Sequence, residues 1–182
     1  MLIGLTGKAG SGKTSVARIL CEDYGYVESA FADNLKAAAS CIFGLDLEHF
    51  YDGKLKEVVD PFWNMTPRAM LQKLGTDACR SIFGDDVWIR SAQKESSRVG
   101  AAFIVFSDVR FENEAQMIRN HGGLIVHVAG RKESALSAES QGHVSEVGVE
   151  VSVDDYIFNN TGTFEQLPRE VADLVQFIAR QS

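Results

Sequence analysis

The sequence predicts an α/β protein built in three layers, with a parallel sheet covered by helices on both faces. Three observations lead there. Short apolar runs at 2–6, 101–108 ("AAFIVFSD") and 124–129 ("LIVHVA") read as strands buried on both faces rather than as half-exposed ones. Stretches of helical composition separate these runs, and strands joined through helices pair in parallel. With 182 residues, 45% hydrophobic and 24% charged, the chain is long enough for one core and is expected to form a single domain over 1–182.

Each element follows from its local composition. Residues 2–6 form the first strand, and Lys13 to Tyr24 the helix after a glycine-studded turn. A second strand is expected at 26–31 ("YVESAF"), then a helix over "NLKAAASCIF" with Asp33 as its N-cap. Residues 45–65 mix aromatic and charged side chains and yield no assignment. Thr66-Pro67 marks a helix start, a capping side chain followed by the residue favoured at the first helical position, and Gly75 interrupts the pattern behind it. Another helix is expected at 86–98, followed by the strand "AAFIVFSD", the helix "RFENEAQMIRNHGG" closed by glycines, and the strand "LIVHVA". Residues 131–149 show little apolar periodicity and read as an excursion, before a last strand at "DYIFNN" and an amphipathic helix at 163–181.

Composition excludes several classes of function. A net charge of −7 argues against a nucleic-acid polymer as partner, because a phosphate backbone demands a broad basic surface. No apolar run approaches the roughly 20 residues of a membrane span, and no secretory signal pattern opens the chain, so the cytoplasm is the expected location. Cys21, Cys41 and Cys79 are widely spaced within helical patterns and are expected to be small buried thiols rather than zinc ligands or a disulfide framework.

Gly7-Lys8-Ala9-Gly10-Ser11-Gly12-Lys13-Thr14 fits Gly-x-x-x-x-Gly-Lys-[Ser/Thr] and lies between a predicted strand and a predicted helix, the context that gives the motif its meaning. Glycines let successive N–H groups of Gly7, Ala9, Gly10, Ser11 and Gly12 turn inward as an anion cradle at a helix N-terminus. Lys13 is then placed for the β- and γ-phosphates of a nucleoside triphosphate and the Thr14 hydroxyl for Mg²⁺. The expected fold is the P-loop NTPase version of the three-layer architecture. A regulatory GTPase would need an Asn-Lys-x-Asp segment, which is absent. Phosphoryl transfer to a small acceptor is the simplest remaining chemistry.

The acceptor side has its own candidates. Asp108 follows "AFIVF" and so emerges at the carboxyl edge of a central strand, placed either to hold Mg²⁺ or to cap the next helix. Arg110, two residues on, points the same way and suits phosphate. After Thr66, the side chains of Arg68, Gln72 and Thr76 share one helical face, with Arg80 a turn further. Guanidinium forks fit phosphate and an amide fits a base edge, although a solvated helix face has the same spacing. Trp88 serves equally as a base-stacking residue or as core.

The segments "GKAGSGKT", "FADNLK", "TPRAMLQKLGTDACR", Trp88, "SDVRFENEA" and "YIFNNTGTFEQL", in this order, resemble the deoxynucleoside monophosphate kinases encoded by bacteriophages, over nearly the whole chain. That resemblance implies transfer of the γ-phosphate of ATP to a deoxynucleoside monophosphate with Mg²⁺, in the host cytoplasm if the chain is phage-encoded, with a homodimer as one option. It implies an acceptor-binding helical region near 33–100 in which Arg68, Gln72, Gly75, Thr76 and Trp88 line the acceptor site, completed by Asp108, Arg110 and Glu114. Lys36 of "FADNLK" would neutralise the acceptor phosphate or lie on a helix surface. Asn160 would sit beside the donor base, held mainly by backbone groups. The excursion at 131–149 would be a short lid contributing Arg131, with only Lys132 as a further cation before Arg169, and His143 as a loop histidine. Lys13, Mg²⁺, Arg110 and Arg131 would then surround the transferring group while the lid keeps water out. Two rival readings stay open: a kinase of phosphomevalonate or dephospho-coenzyme A, and a regulatory module that binds ATP without transferring phosphate.

Overall fold

The computed structural model describes residues 1–130 and 148–181, so the expected lid with Arg131 and His143 lies outside the described residues. The elements run β1 (Leu2–Thr6), α1 (Lys13–Tyr24), β2 (Val27–Ser29), α2 (Asp33–Phe43), α3 (Glu48–Tyr51), a 3₁₀ turn (Leu55–Glu57), α4 (Pro67–Gln72), a π-helical stretch (Lys73–Arg80), α5 (Ser81–Phe83), α6 (Val87–Val99), β3 (Ile104–Phe106), α7 (Glu112–Asn120), β4 (Leu124–Gly130), β5 (Tyr156–Asn160) and α8 (Leu167–Gln181). The described strands form one sheet in the order β2-β3-β1-β4-β5, and every pairing is parallel. From β1 the chain goes one way to β2 and later the other way to β4. The carboxyl end of β1 is therefore the switch point where open sheets of this kind bind ligands.

The described residues divide into two compact units, the first from residues 1–30, 96–130 and 148–181 and the second from 31–95. In the first unit, Ile3 and Leu5 of β1 join Val105, Val126, Val128 and Phe158 in one core with Val16, Ala17 and Leu20 of α1 and Val171, Leu174 and Ile178 of α8. Strand alternation turns Gly4 to the opposite face. A Cβ there would lie 2.6 Å from Ile118 Cδ1 of α7 and 2.8 Å from Ile125 Cδ1, so α7 packs against bare β1 backbone. The sheet thus has α1 and α8 on one face and α7 on the other, as the sequence predicts.

The second unit has its own core of Ala39, Phe50 and Met70, with Phe43, Leu45, Met65, Leu71 and Leu74 around it. Residues 45–65 are organised by aspartates rather than by apolar periodicity. Asp52 Oδ1 accepts from Lys54 N (2.7 Å) and Leu55 N (2.8 Å) to start the 3₁₀ turn, and Asp60 Oδ1 accepts from Phe62 N and Trp63 N, both at 2.9 Å. Thr66 caps α4 as expected, its Oγ1 accepting from Ala69 N at 3.2 Å with Pro67 behind it. The interruption expected at Gly75 is a widening of the helix into π geometry. Trp88 Nε1 donates to the Gly75 carbonyl at 3.0 Å.

Three expectations need correction. Asp33 is the first helical residue of α2 rather than its cap, which is Ala32, so it acts on the helix dipole and not through a capping bond. Cys41 is exposed, because its position on α2 faces away from the buried Leu35 and Ala39, while Cys21 and Cys79 are half-buried. The strands β2 and β3 are three residues long, since only that length pairs. Among the described residues no helix is long and apolar enough to cross a membrane.

A buried ionic cluster ties the first unit together. The Asp155 side chain is 2% exposed and accepts from Arg119 Nη2 of α7 (2.7 Å), His127 Nε2 of β4 (2.9 Å) and its neighbour Ser152 N (2.8 Å). Arg119 also donates to Glu112 Oε1 at 2.6 Å. Burial works to raise the Asp155 carboxyl, and the bonds from Arg119, Ser152 and His127 overcome it, holding the group below the usual carboxylate range. A carboxylate depressed in the folded state stabilises above its unfolded value and loses that contribution as pH falls toward its folded value. Asp155→Asn is therefore expected to cost about 3 kcal/mol at neutral pH, by leaving Arg119 without its buried partner. In denaturant titrations the gap from wild type should shrink once pH drops below about 4. A gap independent of pH would remove the ion pair from this account.

Candidate active site

The sequence stretch that begins the site is already shaped for an anion. Gly7, Gly10 and Gly12 have φ of 137°, 82° and 102°, backbone conformations that side chains rarely adopt. The bend they make delivers the chain into α1, whose N-cap is the left-handed Gly12 and whose first turn carries no acidic residue. The positive end of the helix dipole therefore faces the loop, and within the loop Ser11 N donates to the Lys8 carbonyl at 3.2 Å. Lys13 Nζ folds over the loop and donates to the carbonyls of Gly7 (2.6 Å) and Lys8 (2.9 Å). Thr14, next on α1, is exposed.

The loop is seated without spare room. A Cβ on Gly7 would come within 2.4 Å of the Val128 carbonyl oxygen, and one on Gly12 within 2.0 Å of Asn160 Nδ2. A Cβ on Gly130 would come within 2.3 Å of Ser11 Cα. Asn160 donates from Nδ2 to the Ser11 carbonyl at 2.8 Å, so its side chain holds the loop rather than standing clear for a base. Ser11 is 3% exposed, and its Oγ has no hydrogen-bond partner among the described residues. A cavity of about 370 Å³ lies against Gly7, Lys8 and Ser11 and is bordered by His127–Gly130 and Ile157.

Asp108 and Arg110 belong to the same unit. β3 pairs with β1 through Gly4 and Phe106, and Val109 N donates to the Leu5 carbonyl at 3.1 Å, so the chain beyond β3 continues beside the end of β1. That bond sets Val109 beside the end of β1, with Asp108 immediately before it in the chain. Glu114 departs from the expectation of a substrate contact. It is 3% exposed, and its Oε2 accepts from Arg110 N (2.9 Å) and Phe111 N (3.1 Å). Its carboxylate caps α7 and fixes the backbone that carries Arg110.

The remaining candidates fall in the second unit. Arg68 Nε of α4 donates to Glu57 Oε1 at 2.5 Å. Gln72, one turn on, carries an Nε2 that is buried and without a partner among the described residues. Gly75 leaves no room for a side chain against Leu35 Cδ2, which a Cβ would approach to 2.5 Å, and Thr76 follows it in the π-helical stretch. An i→i+5 turn still leaves residues four and five apart on one side, so Arg68, Gln72 and Thr76 stay grouped. Arg80 leaves the group: it is 6% exposed and donates to the Asp85 carbonyl at 2.6 Å. Trp88 is half-buried and tied to Gly75. Lys36 Nζ lies 4.0 Å from the centroid of the Tyr51 ring and 3.4 Å from Asp33 Oδ1, which also accepts from Tyr51 Oη at 2.8 Å.

Sequence reasoning did not find Glu57, Tyr51 or the cluster of His127, Asp155 and Arg119. Residues 51 and 57 lie in the segment without periodicity, where no signal exists. His127 did leave one, a lone polar residue inside "LIVHVA" that needed a buried partner.

Residues 46–171 match the family described as deoxynucleotide monophosphate kinase. A putative deoxynucleotide monophosphate kinase of Acanthamoeba polyphaga mimivirus is 33% identical, with 96% of each chain covered. The deoxynucleoside-5'-monophosphate kinase of Escherichia phage T5 is 26% identical over 82% of this chain and 85% of its own. A crystal structure of a Thermus thermophilus protein shares the fold, with a TM-score of 0.54 at 21% identity over 98% of this chain and 97% of that one. The chain belongs to the deoxynucleotide monophosphate kinase family.

Proposed function

We propose that the protein transfers the γ-phosphate of ATP to a deoxynucleoside monophosphate, giving a deoxynucleoside diphosphate and ADP, in the cytoplasm. The observation that carries this reading is the cradle: a loop bent at positive-φ glycines, packed too tightly for side chains, ending at a helix N-terminus beside Lys13. Family membership supports the choice of acceptor.

The donor triphosphate is assigned to the loop. Phosphate oxygens are better acceptors for an ammonium than neutral carbonyls, so Lys13 exchanges its bonds to Gly7 and Lys8 for the β- and γ-phosphates. Thr14 and Asp108 fit a Mg²⁺ site, because such an ion takes one or two protein oxygens together with phosphates and water. Bound there, Mg²⁺ would supply positive charge to the phosphates of the donor. Among the described residues no group of three or more metal-ligating side chains exists, consistent with an ion that relies on the nucleotide. Arg110, held by the Glu114 cap on its backbone, is assigned to the transferring phosphoryl group. Arg131 is proposed to join it from the lid.

The acceptor is assigned to the second unit. Arg68 is proposed to grip the acceptor phosphate in exchange for Glu57, with Lys36 adding charge. The buried Gln72 Nε2 supports base reading, since a donor left unpaired in a native protein costs about 1–3 kcal/mol and calls for a partner. Gly75, Thr76 and Trp88 shape the same wall. Catalysis then consists of positioning and preorganised positive charge around a loose transition state.

Lys13→Ala and Arg110→Ala should each lower kcat by about 10²-fold or more with thermal unfolding unchanged, and an undiminished rate would remove the residue from the scheme. A panel of deoxynucleoside monophosphates, phosphomevalonate and dephospho-coenzyme A with labelled ATP should give transfer to one or more deoxynucleotides only. Transfer to neither class alongside tight ATP binding would overturn the kinase reading. Gln72→Leu should raise KM for the preferred acceptor by roughly tenfold while leaving KM for ATP unchanged.

A further inference from the structure

We infer that His127, anchored by Asp155 and Arg119, is a positioning residue for the donor nucleotide: it fixes the strand end against which the phosphate-binding loop is packed. The inference rests on the proposed assignment of ATP to that loop.

The loop and β4 meet backbone to backbone. Gly7 stands against the Val128 carbonyl and Gly130 against Ser11, with spaces of 2.4 Å and 2.3 Å for a Cβ that neither residue has. No side chain lies between them to absorb a shift, so displacement of residues 128–130 is passed directly to the N–H groups of the cradle. The ladder from β1 supports β4 only as far as the pair Thr6 and His127. Beyond His127 the strand keeps only its β5 neighbours, ending at Gly130 and Asn160. His127 is thus the last β4 residue supported on both sides, at the point where the wall of the cradle begins.

Its side chain is held from beneath. Nε2 meets Asp155 Oδ2 at 2.9 Å, and the same oxygen accepts from Arg119 Nη2 at 2.7 Å and Ser152 N at 2.8 Å. An ionised carboxylate only accepts, so Nε2 carries the proton and donates. The charged groups around the ring are Asp155, Arg119 and, behind Arg119, Glu112, with Lys8 on the loop side of the shared cavity. Three segments, α7, β4 and the turn before β5, converge on Asp155, and His127 is the member that connects them to the loop. A role confined to stability would affect both substrates alike. A role in seating the loop affects the donor selectively.

The test uses the full chain with His127→Leu, which keeps the volume but cannot donate, and His127→Gln, whose amide nitrogen reaches the position of Nε2. Calorimetric titration gives Kd for ATP, and steady-state assays give KM for ATP and for the acceptor. His127→Leu is expected to raise Kd and KM for ATP about tenfold, as loss of an orienting partner commonly does, with acceptor KM and kcat at saturating ATP within about twofold. His127→Gln is expected to recover ATP affinity to within about threefold of wild type. Should His127→Leu not fold, His127→Asn, whose shorter amide does not reach Asp155 Oδ2, must give the same donor-selective loss. A folded variant with unchanged ATP affinity, an equal loss on both substrates, or no recovery with Gln overturns the inference while leaving the function standing. Wild-type protein that binds no ATP overturns the function, and the inference with it.

Discussion

The constraint on which the donor site depends is a contact between backbones. The loop from Gly7 to Gly12 is wedged against Val128, Gly130 and Asn160 so closely that a methyl group at position 7, 12 or 130 would overlap its neighbour. Glycine here supplies proximity as much as flexibility. Because the walls are the main chain of β4 against Gly7 and Ser11 and the anchored Asn160 amide against Gly12, the positions of the cradle amides are set by the sheet and by one side chain fixed to the loop. A protein with a net charge of −7 can in this way present a concentrated positive field at one point, from aligned N–H groups, a helix terminus free of acidic side chains, and Lys13.

Two buried carboxylates serve architecture, and a half-buried amide stands apart from them. Glu114 satisfies its carboxylate on the N–H groups of Arg110 and Phe111, converting a motif carboxylate into the support of a neighbouring guanidinium. Asp155 satisfies its own on Arg119, His127 and Ser152, and in doing so braces the strand beside the loop. Gln72 differs: its Nε2 is buried with no partner among the described residues. In the second unit the cations Arg68 and Lys36 sit on Glu57 and on Asp33 with Tyr51.

Much of this was legible in the residues because it depends on local chemistry. Apolar runs located β1, β3 and β4, Thr66-Pro67 located a capped helix, and Gly7 to Thr14 located the cradle. What escaped is non-local. The segment 45–65 is organised by Asp52 and Asp60 accepting from the backbone two and three residues ahead, which leaves no hydrophobic period to read. The widened helix at Lys73–Arg80 goes with the bond between Trp88 and the Gly75 carbonyl, a contact across 13 residues that no window centred on Gly75 contains. The capping role of Glu114 also escaped, because its bonds to Arg110 N and Phe111 N depend on how the chain turns into α7.

The central claim, that one chain holds a donor and an acceptor nucleotide at once for direct transfer, is tested most directly by a bisubstrate ligand in which adenosine and thymidine are joined through five phosphates. Simultaneous engagement makes the second contact intramolecular, so one such ligand should bind each chain at least 10²-fold more tightly than ATP or the monophosphate alone. Binding no tighter than ATP would contradict the account.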